Sequence, residues 1–253
     1  MSGHSKWATI KRKKGATDAK RGKLFTQLIR EISMAAGLGG GDPDANPRLR
    51  LAMQKARGVN MPKDNIERAI KKGTGELEGN QIEELRYEGY GPGGVAVIVD
   101  TLSDNRNRTA SEVRYIFSRH SGNLGTSGCV AYMFDRRGVI EFDRAAVDAD
   151  KLMEAAIEAN ALDIVDEEDA LSVQTNQEGF EPVKTALEAH GFTPARASIQ
   201  MVPSSTVTIS GKNAELMLKL YEELDAHEDV AAVYANFEMS DDELLELAGP
   251  GAA

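Results

Sequence analysis

The sequence predicts an α+β protein: an N-terminal three-helix domain followed by two ferredoxin-like α+β domains, one inserted within the other. Three observations carry this. Apolar residues recur at helical spacing over the first third of the chain. From Val95 onward, short β-branched runs alternate with helical stretches. Those later elements fall twice in the order β-α-β-β-α-β, one set enclosing the other.

The helices come first. From Thr17 to Ala36, Leu24, Phe25, Leu28, Ile29 and Ile32 form one stripe. Gly37 ends that helix, and LGGGDPDA reads as a loop. Asn46-Pro47 is an N-cap with proline at the first helical position. It opens a helix with Leu49, Ala52, Met53 and Ala56 inward, ending at Gly58. Pro62 starts a third, with Ile66, Ala69 and Ile70 inward and Gly73 at its end. Short connections make the three a bundle. GTGELEGNQIEEL then reads as a linker.

The strands and helices that follow are Val95–Asp100 (β), a helix opened by a capping box at Thr109–Glu112 and ending near Gly122, and Cys129–Phe134 (β). Next come Val139–Phe142 (β), Val147–Asn160 (α), Leu162–Val165 (β), Leu171–Thr175 (β), Glu181–His190 (α) and Ala197–Val202 (β). Thr206–Ser210 (β), Asn213–Ala226 (α) and Ala232–Glu238 (β) follow. Residues 137–202 hold one complete split unit, and the flanking elements join into a second around it. A single larger mixed sheet is the competing reading. The domains expected are 1–78 (basic, helical, with an N-terminal arm), 79–135 with 204–240 (discontinuous), 136–203 (inserted), and an acidic C-terminal tail, 241–253.

Charge is strongly segregated. The chain's formal net charge is −10. Residues 1–78 hold 17 Lys/Arg against 8 Asp/Glu, while 79–253 hold 13 against 32. The first 23 residues alone carry eight basic side chains and one acid. A basic arm on an acidic body is the pattern of a protein that sets one end on a polyanion, most often nucleic acid; a solvated charged terminus is the bland alternative. His4, Lys6, Trp7, Lys11, Arg12, Lys13, Lys14, Lys20, Arg21 and Lys23 are the candidate contacts. Trp7 is the only tryptophan. It either offers a face on which a base stacks, worth about 1–3 kcal/mol, or pins the arm to the bundle.

Arg106 and Arg108, in SDNRNRT, sit just ahead of the capped helix. Cations there oppose the helix dipole, so either an anion shares the site or Asp100, Asp104 and Glu112 neutralise them. The glycines of YEGYGPGGV precede a strand instead of opening a helix, so they are a tight entry turn and no phosphate cradle. Tyr87 and Tyr90 are packing or surface aromatics.

Catalytic and metal constellations are missing. His4, His120, His190 and His227 lie far apart, without acid or cysteine at metal-ligand spacing. There is no nucleophile elbow. Cys129, the single cysteine, sits in an apolar strand pattern and suits a reducing cytoplasm. DIVDEED (Asp163–Asp169) is an acid cluster that reads as a solvated turn, with a cation site as the alternative. No run is apolar or long enough to span a bilayer, and no secretory signal opens the chain. The expectation is no enzyme, no cofactor, no metal and no membrane.

Motifs in order along nearly the whole chain resemble the YebC/PmpR family, whose relatives include a mitochondrial translational activator of cytochrome oxidase. They are GHSKW (Gly3–Trp7), DAKRGK (Asp18–Lys23), GGGDPDANPRLR (Gly39–Arg50), NMPKDNIERAIKKG (Asn60–Gly73), YEGYGPGG (Tyr87–Gly94), DNRNRT (Asp104–Thr109), GNLG (Gly122–Gly125) and FDRRGVI (Phe134–Ile140). Cys129 departs from the serine of GSVAYMF-like versions. The resemblance implies a helical domain plus two α+β domains, one interrupting the other. It also implies a DNA-binding transcriptional regulator or, as in some relatives, a ribosome-associated translation factor contacting rRNA or tRNA and relieving stalls at stretches such as consecutive prolines. A protein-interaction scaffold, with partners on the acidic domains, is the third reading. The helices show no clear recognition helix rich in Asn, Gln or Arg.

Overall fold

The computed structural model describes Trp7, residues 18–167 and residues 170–248, with backbone only for 18–21 and 248. The helical domain comprises α1 (Asp18–Gly39), α2 (Pro47–Gly58) and α3 (Lys63–Gly73). Helix α1 outruns its predicted stop at Gly37. It ends where Gly40 takes a left-handed φ of 83°. Asn46 caps α2 as expected, its Oδ1 accepting from the Leu49 N–H at 3.1 Å. Its amide also donates to the carbonyls of Ala35 and Gly40, which ties the loop to α1. Leu28, Ile32, Leu49, Ala52, Ala56, Ile66 and Ala69 form the core. Leu24 stays exposed at the stripe's edge.

The inserted domain runs β4 (Phe134–Asp143), α5 (Ala149–Glu158), β5 (Asp163–Asp166), β6 (Ala170–Thr175), α6 (Phe180–Ala189) and β7 (Arg196–Pro203). Its antiparallel sheet has the order β5-β6-β4-β7, the ferredoxin-like arrangement. Ile140, Phe142, Leu152, Leu171, Val173 and Leu187 fill the space beneath its helices.

The outer domain surrounds this insertion and departs from the expected elements. Its sheet order is β3-β1-β2-β9, from β1 (Glu83–Tyr90), β2 (Ala96–Ser103), β3 (Asn123–Leu124) and β9 (Val230–Ala235). Strand β1 lies in the expected linker and entry turn, and it takes the third-strand slot. Segment β8 (Val207–Thr208) pairs in parallel with β10 (Phe237–Glu238) instead. The turn proper is Gly91–Gly94, where Gly93 and Gly94 have φ of 74° and 79° and tolerate no ordinary side chain. Cys129 is half-buried in a bend, not a strand. Only Phe134 onward is extended.

Helix α4 (Arg106–Arg119) and α7 (Gly211–Ala226) cover one face of the outer sheet. Val97, Val99, Val233 and Ala235 point into that core. Ala96 and Ile98, on the other face, meet Val130, Phe134 and Met201, which joins the outer and inserted domains. With both faces covered, the first half of β2, Ala96–Val99, is a continuous apolar run without alternation. The acidic tail begins as a helix, α8 (Asp241–Ala248). Its Leu244 is buried in the outer core, and its Glu243 accepts from the Gly211 N–H that opens α7. No helix among the described residues is long and apolar enough to cross a membrane.

Candidate nucleic-acid interface

His4, Lys6, Lys11, Arg12, Lys13 and Lys14 lie outside the described residues, and Lys20 and Arg21 are described by backbone alone, on α1. Trp7 is 2% exposed and packs in the outer-domain core with Val95, Val97, Phe117, Met217 and Phe237. A side chain so enclosed has no face for a base, so the stacking expectation gives way. Trp7 is an anchor, and its dock is the outer domain, not the helical bundle. Lys23 is half-buried: loss of water pulls its ammonium pKa down, against the pull of Asp225 on α7.

The cap at α4 differs from the one expected. Asn105 is the N-cap, its Oδ1 accepting from the Arg108 N–H at 3.1 Å. Arg106 and Arg108 therefore stand in the first turn, and Thr109 faces inward. Arg108 is bound by carboxylates: Nη2 lies 2.8 Å from Asp229 Oδ2 and 3.2 Å from Asp104 Oδ1, with Glu112 at 3.9 Å. Asp100 takes no part, because Arg86 holds it from the neighbouring strand through Nε and Nη2. Arg106 is exposed, with no ion pair among the described residues. Its charge acts with that of Arg114 on the Tyr87 phenol, whose Oη donates to the Arg106 carbonyl.

Asp229 is the hub of this region. Its side chain is 2% exposed, and it accepts from Arg108, from Thr109 Oγ1 at 2.5 Å and from Ser103 Oγ at 3.3 Å. Arg30 of α1 reaches it at 2.7 Å, while Gln27 and Arg30 also donate to the carbonyls of Val230 and Glu228. Burial works against the Asp229 anion, but Arg108, Thr109 and Arg30 more than offset it and hold its pKa low. The helical domain thus hangs on the outer domain through this carboxylate and the two carbonyls beside it, with Arg48–Glu84 at 3.0 Å beside the linker. Glu112, His227 and Asp229 have ligand atoms within 4.8 Å of one another. Two guanidiniums already supply the positive charge there.

Sequence reasoning missed the cations left facing water. On α2, Arg50, Gln54 and Arg57 are exposed at i, i+4 and i+7, opposite the buried Leu49, Ala52 and Ala56. On α3, Arg68 and Lys71 are exposed likewise. Arg50, Arg57, Arg68 and Lys71 have no ion pair among the described residues, whereas Lys55 is held by Glu31 and Lys63 by Glu67. The same helical spacing that named the core names this outer face.

Fold and surface together define a class: a cationic helical domain fastened to an acidic body of two nested α+β units. The chain belongs to the TACO1/YebC family. The model of that family's N-terminal domain matches residues 5–76, and that of its second and third domains matches 82–237. A relative from Trichlorobacter lovleyi, named "Probable transcriptional regulatory protein", is 60% identical over 98% of this chain and all of its own length. One of the same description from Geobacter sulfurreducens is 57% identical over the same shares. The crystal structure of a conserved hypothetical protein from Aquifex aeolicus superposes with a TM-score of 0.80. It is 51% identical and covers 88% of this chain and 93% of that one.

Proposed function

We propose that this protein is a non-enzymatic, cytoplasmic nucleic-acid-binding regulator of transcription. The basic arm and the helical domain grip phosphates, and the acidic α+β domains set orientation and offer a surface to a protein partner. The names of the relatives support the regulatory role. The observation that carries the binding role is the segregated charge, with Arg50, Arg57, Arg68 and Lys71 exposed on the helical domain and without an ion pair among the described residues. If about six phosphates are neutralised, log K falls against log salt with a slope near −5. Replacing Lys11, Arg12, Lys13 and Lys14 together by glutamine, with Trp7 kept, flattens that slope by about 3 to 4. Binding insensitive to salt, or a slope unmoved by the four changes, refutes the grip.

A second reading, a ribosome-associated translation factor, is favoured by α3. A helix-turn-helix places its second helix in the major groove. Here the second helix of the α2–α3 pair exposes Asp64 and Glu67 beside Arg68 and Lys71, and acids on that helix oppose its insertion between the two phosphate walls of a duplex groove. Crosslinking in cells followed by sequencing of the bound nucleic acid separates the two: promoter DNA for the first, ribosomal RNA for the second.

A further inference from the structure

We propose that Tyr90 and Tyr132, where the outer sheet meets the inserted domain, form a stacking site for bases of a single-stranded nucleic acid; this rests on the nucleic-acid reading above. Tyr132 is 73% exposed, among the most exposed large side chains described. It is not exposed by looseness. Val130 and Phe134, two residues to either side, are buried where the two domains join, so the turn Ala131–Met133 can only project Tyr132 outward. Beneath it, the buried Glu88 carboxylate accepts three backbone N–H bonds, from Gly128 at 2.8 Å, Val130 at 2.9 Å and Ala131 at 2.8 Å. Burial pushes the Glu88 carboxyl up, but these bonds and Arg86 bring it below the ordinary range, so it stays the anion that this loop needs. The Gly125 N–H donates to the Glu88 carbonyl at 2.8 Å and closes the loop onto β1. Tyr90 Oη donates to the Cys129 carbonyl at 3.2 Å, which ties β1 to the same loop.

A loop held by a buried carboxylate, presenting an aromatic face to water, is preorganised for a flat ligand, because little rotamer freedom remains to be lost on binding. The setting selects the ligand. The inserted domain closes the face of the outer sheet that carries Tyr90, and Tyr234 packs into that junction, so Tyr132 and the edge of Tyr90 are the aromatic surface that reaches water. Arg136 is exposed on β4 without an ion pair among the described residues, and its charge reaches Tyr234. A guanidinium near aromatic faces suits a phosphate between stacked bases. A duplex hides its base faces and cannot use the site.

The test measures the affinity of the full chain for a fluorescein-labelled oligo(U) of about 16 nucleotides and for a duplex of equal length. Tyr132→Ala is expected to weaken oligo(U) binding about 5- to 150-fold and to leave duplex binding unchanged. Tyr132→Phe, which keeps the ring, is expected to retain it. An unaltered melting temperature for both variants shows that the fold is intact, as an exposed side chain predicts. Oligo(U) binding indifferent to Tyr132→Ala while the wild type binds overturns this site and leaves the grip standing; Tyr132 is then a protein contact. A wild type that binds neither ligand overturns both.

Discussion

Replacing Asp229 tests the idea that one buried carboxylate fastens the helical domain to the body. Asp229→Asn keeps the shape and an acceptor oxygen but removes the charge that Arg30 and Arg108 both face. Removing one partner of a buried ion pair costs about 3–5 kcal/mol. Arg30 is only 13% exposed and is stranded by the change. Arg108 keeps 42% of its side chain in water and is re-solvated, with Asp104 still beside it. The low end, about 3 kcal/mol, is therefore expected for Asp229→Ala, and about 2 kcal/mol for Asp229→Asn, in the range of hydrogen bonds to charged groups. Urea unfolding followed by circular dichroism gives the total. Limited proteolysis shows whether the segment between α3 and β1 opens first. The pH dependence adds a check with a definite sign. The folded carboxyl titrates below its unfolded value near 3.9. Its contribution is complete above that value and is lost as pH falls through the folded one. Wild type and Asp229→Asn should therefore differ at pH 7 and converge in acid. A loss below about 1 kcal/mol at pH 7, or a gap that does not close in acid, refutes the latch.

Two further substitutions probe packing. Trp7→Ala should cost about 3–5 kcal/mol, as for other buried aromatics, and wild-type tryptophan fluorescence should resist quenching by iodide; ready quenching would show Trp7 open to solvent. Gly73→Ala should destabilise the helical domain by at least about 1–3 kcal/mol, because the new Cβ would sit on the Ser33 carbonyl oxygen and within 2.9 Å of the Ala36 Cβ. A Gly73→Ala melting temperature equal to the wild type's would refute the close crossing of α1 and α3.

Local signals carried most of the fold. Asn46-Pro47 announces α2 because cap and proline act within four residues. Strand β1 escaped notice because in ELRYEGY the inward face offers only Leu85, Tyr87 and Gly89, and the other face carries Arg86 and the buried Glu88 in place of apolar residues. What makes it a strand is its eight-residue register with β2, a tertiary fact. Asp229 escaped for a similar reason: Arg108 is 121 positions away in the chain, and nothing beside Asp229 marks it as a hub. The Glu88 cradle also joins distant segments, so only the fold reveals it.

Burial of Trp7 changes what the basic arm is. A free tail pays a large ordering cost on binding. Here Trp7 sits in the outer core, and α1, from Asp18 onward, reaches the same domain through Gln27 and Arg30. In the sequence, Lys11, Arg12, Lys13 and Lys14 fall between these two anchors. Deleting residues 1–23 would remove four kinds of thing at once: the charges, the core tryptophan, the first turn of α1 and the half-buried Lys23. Loss of binding in such a deletion would say nothing about phosphate. Charge removal with Trp7 in place separates grip from fold, and an arm that binds by charge must then show its loss in the salt slope before it shows any change in melting temperature.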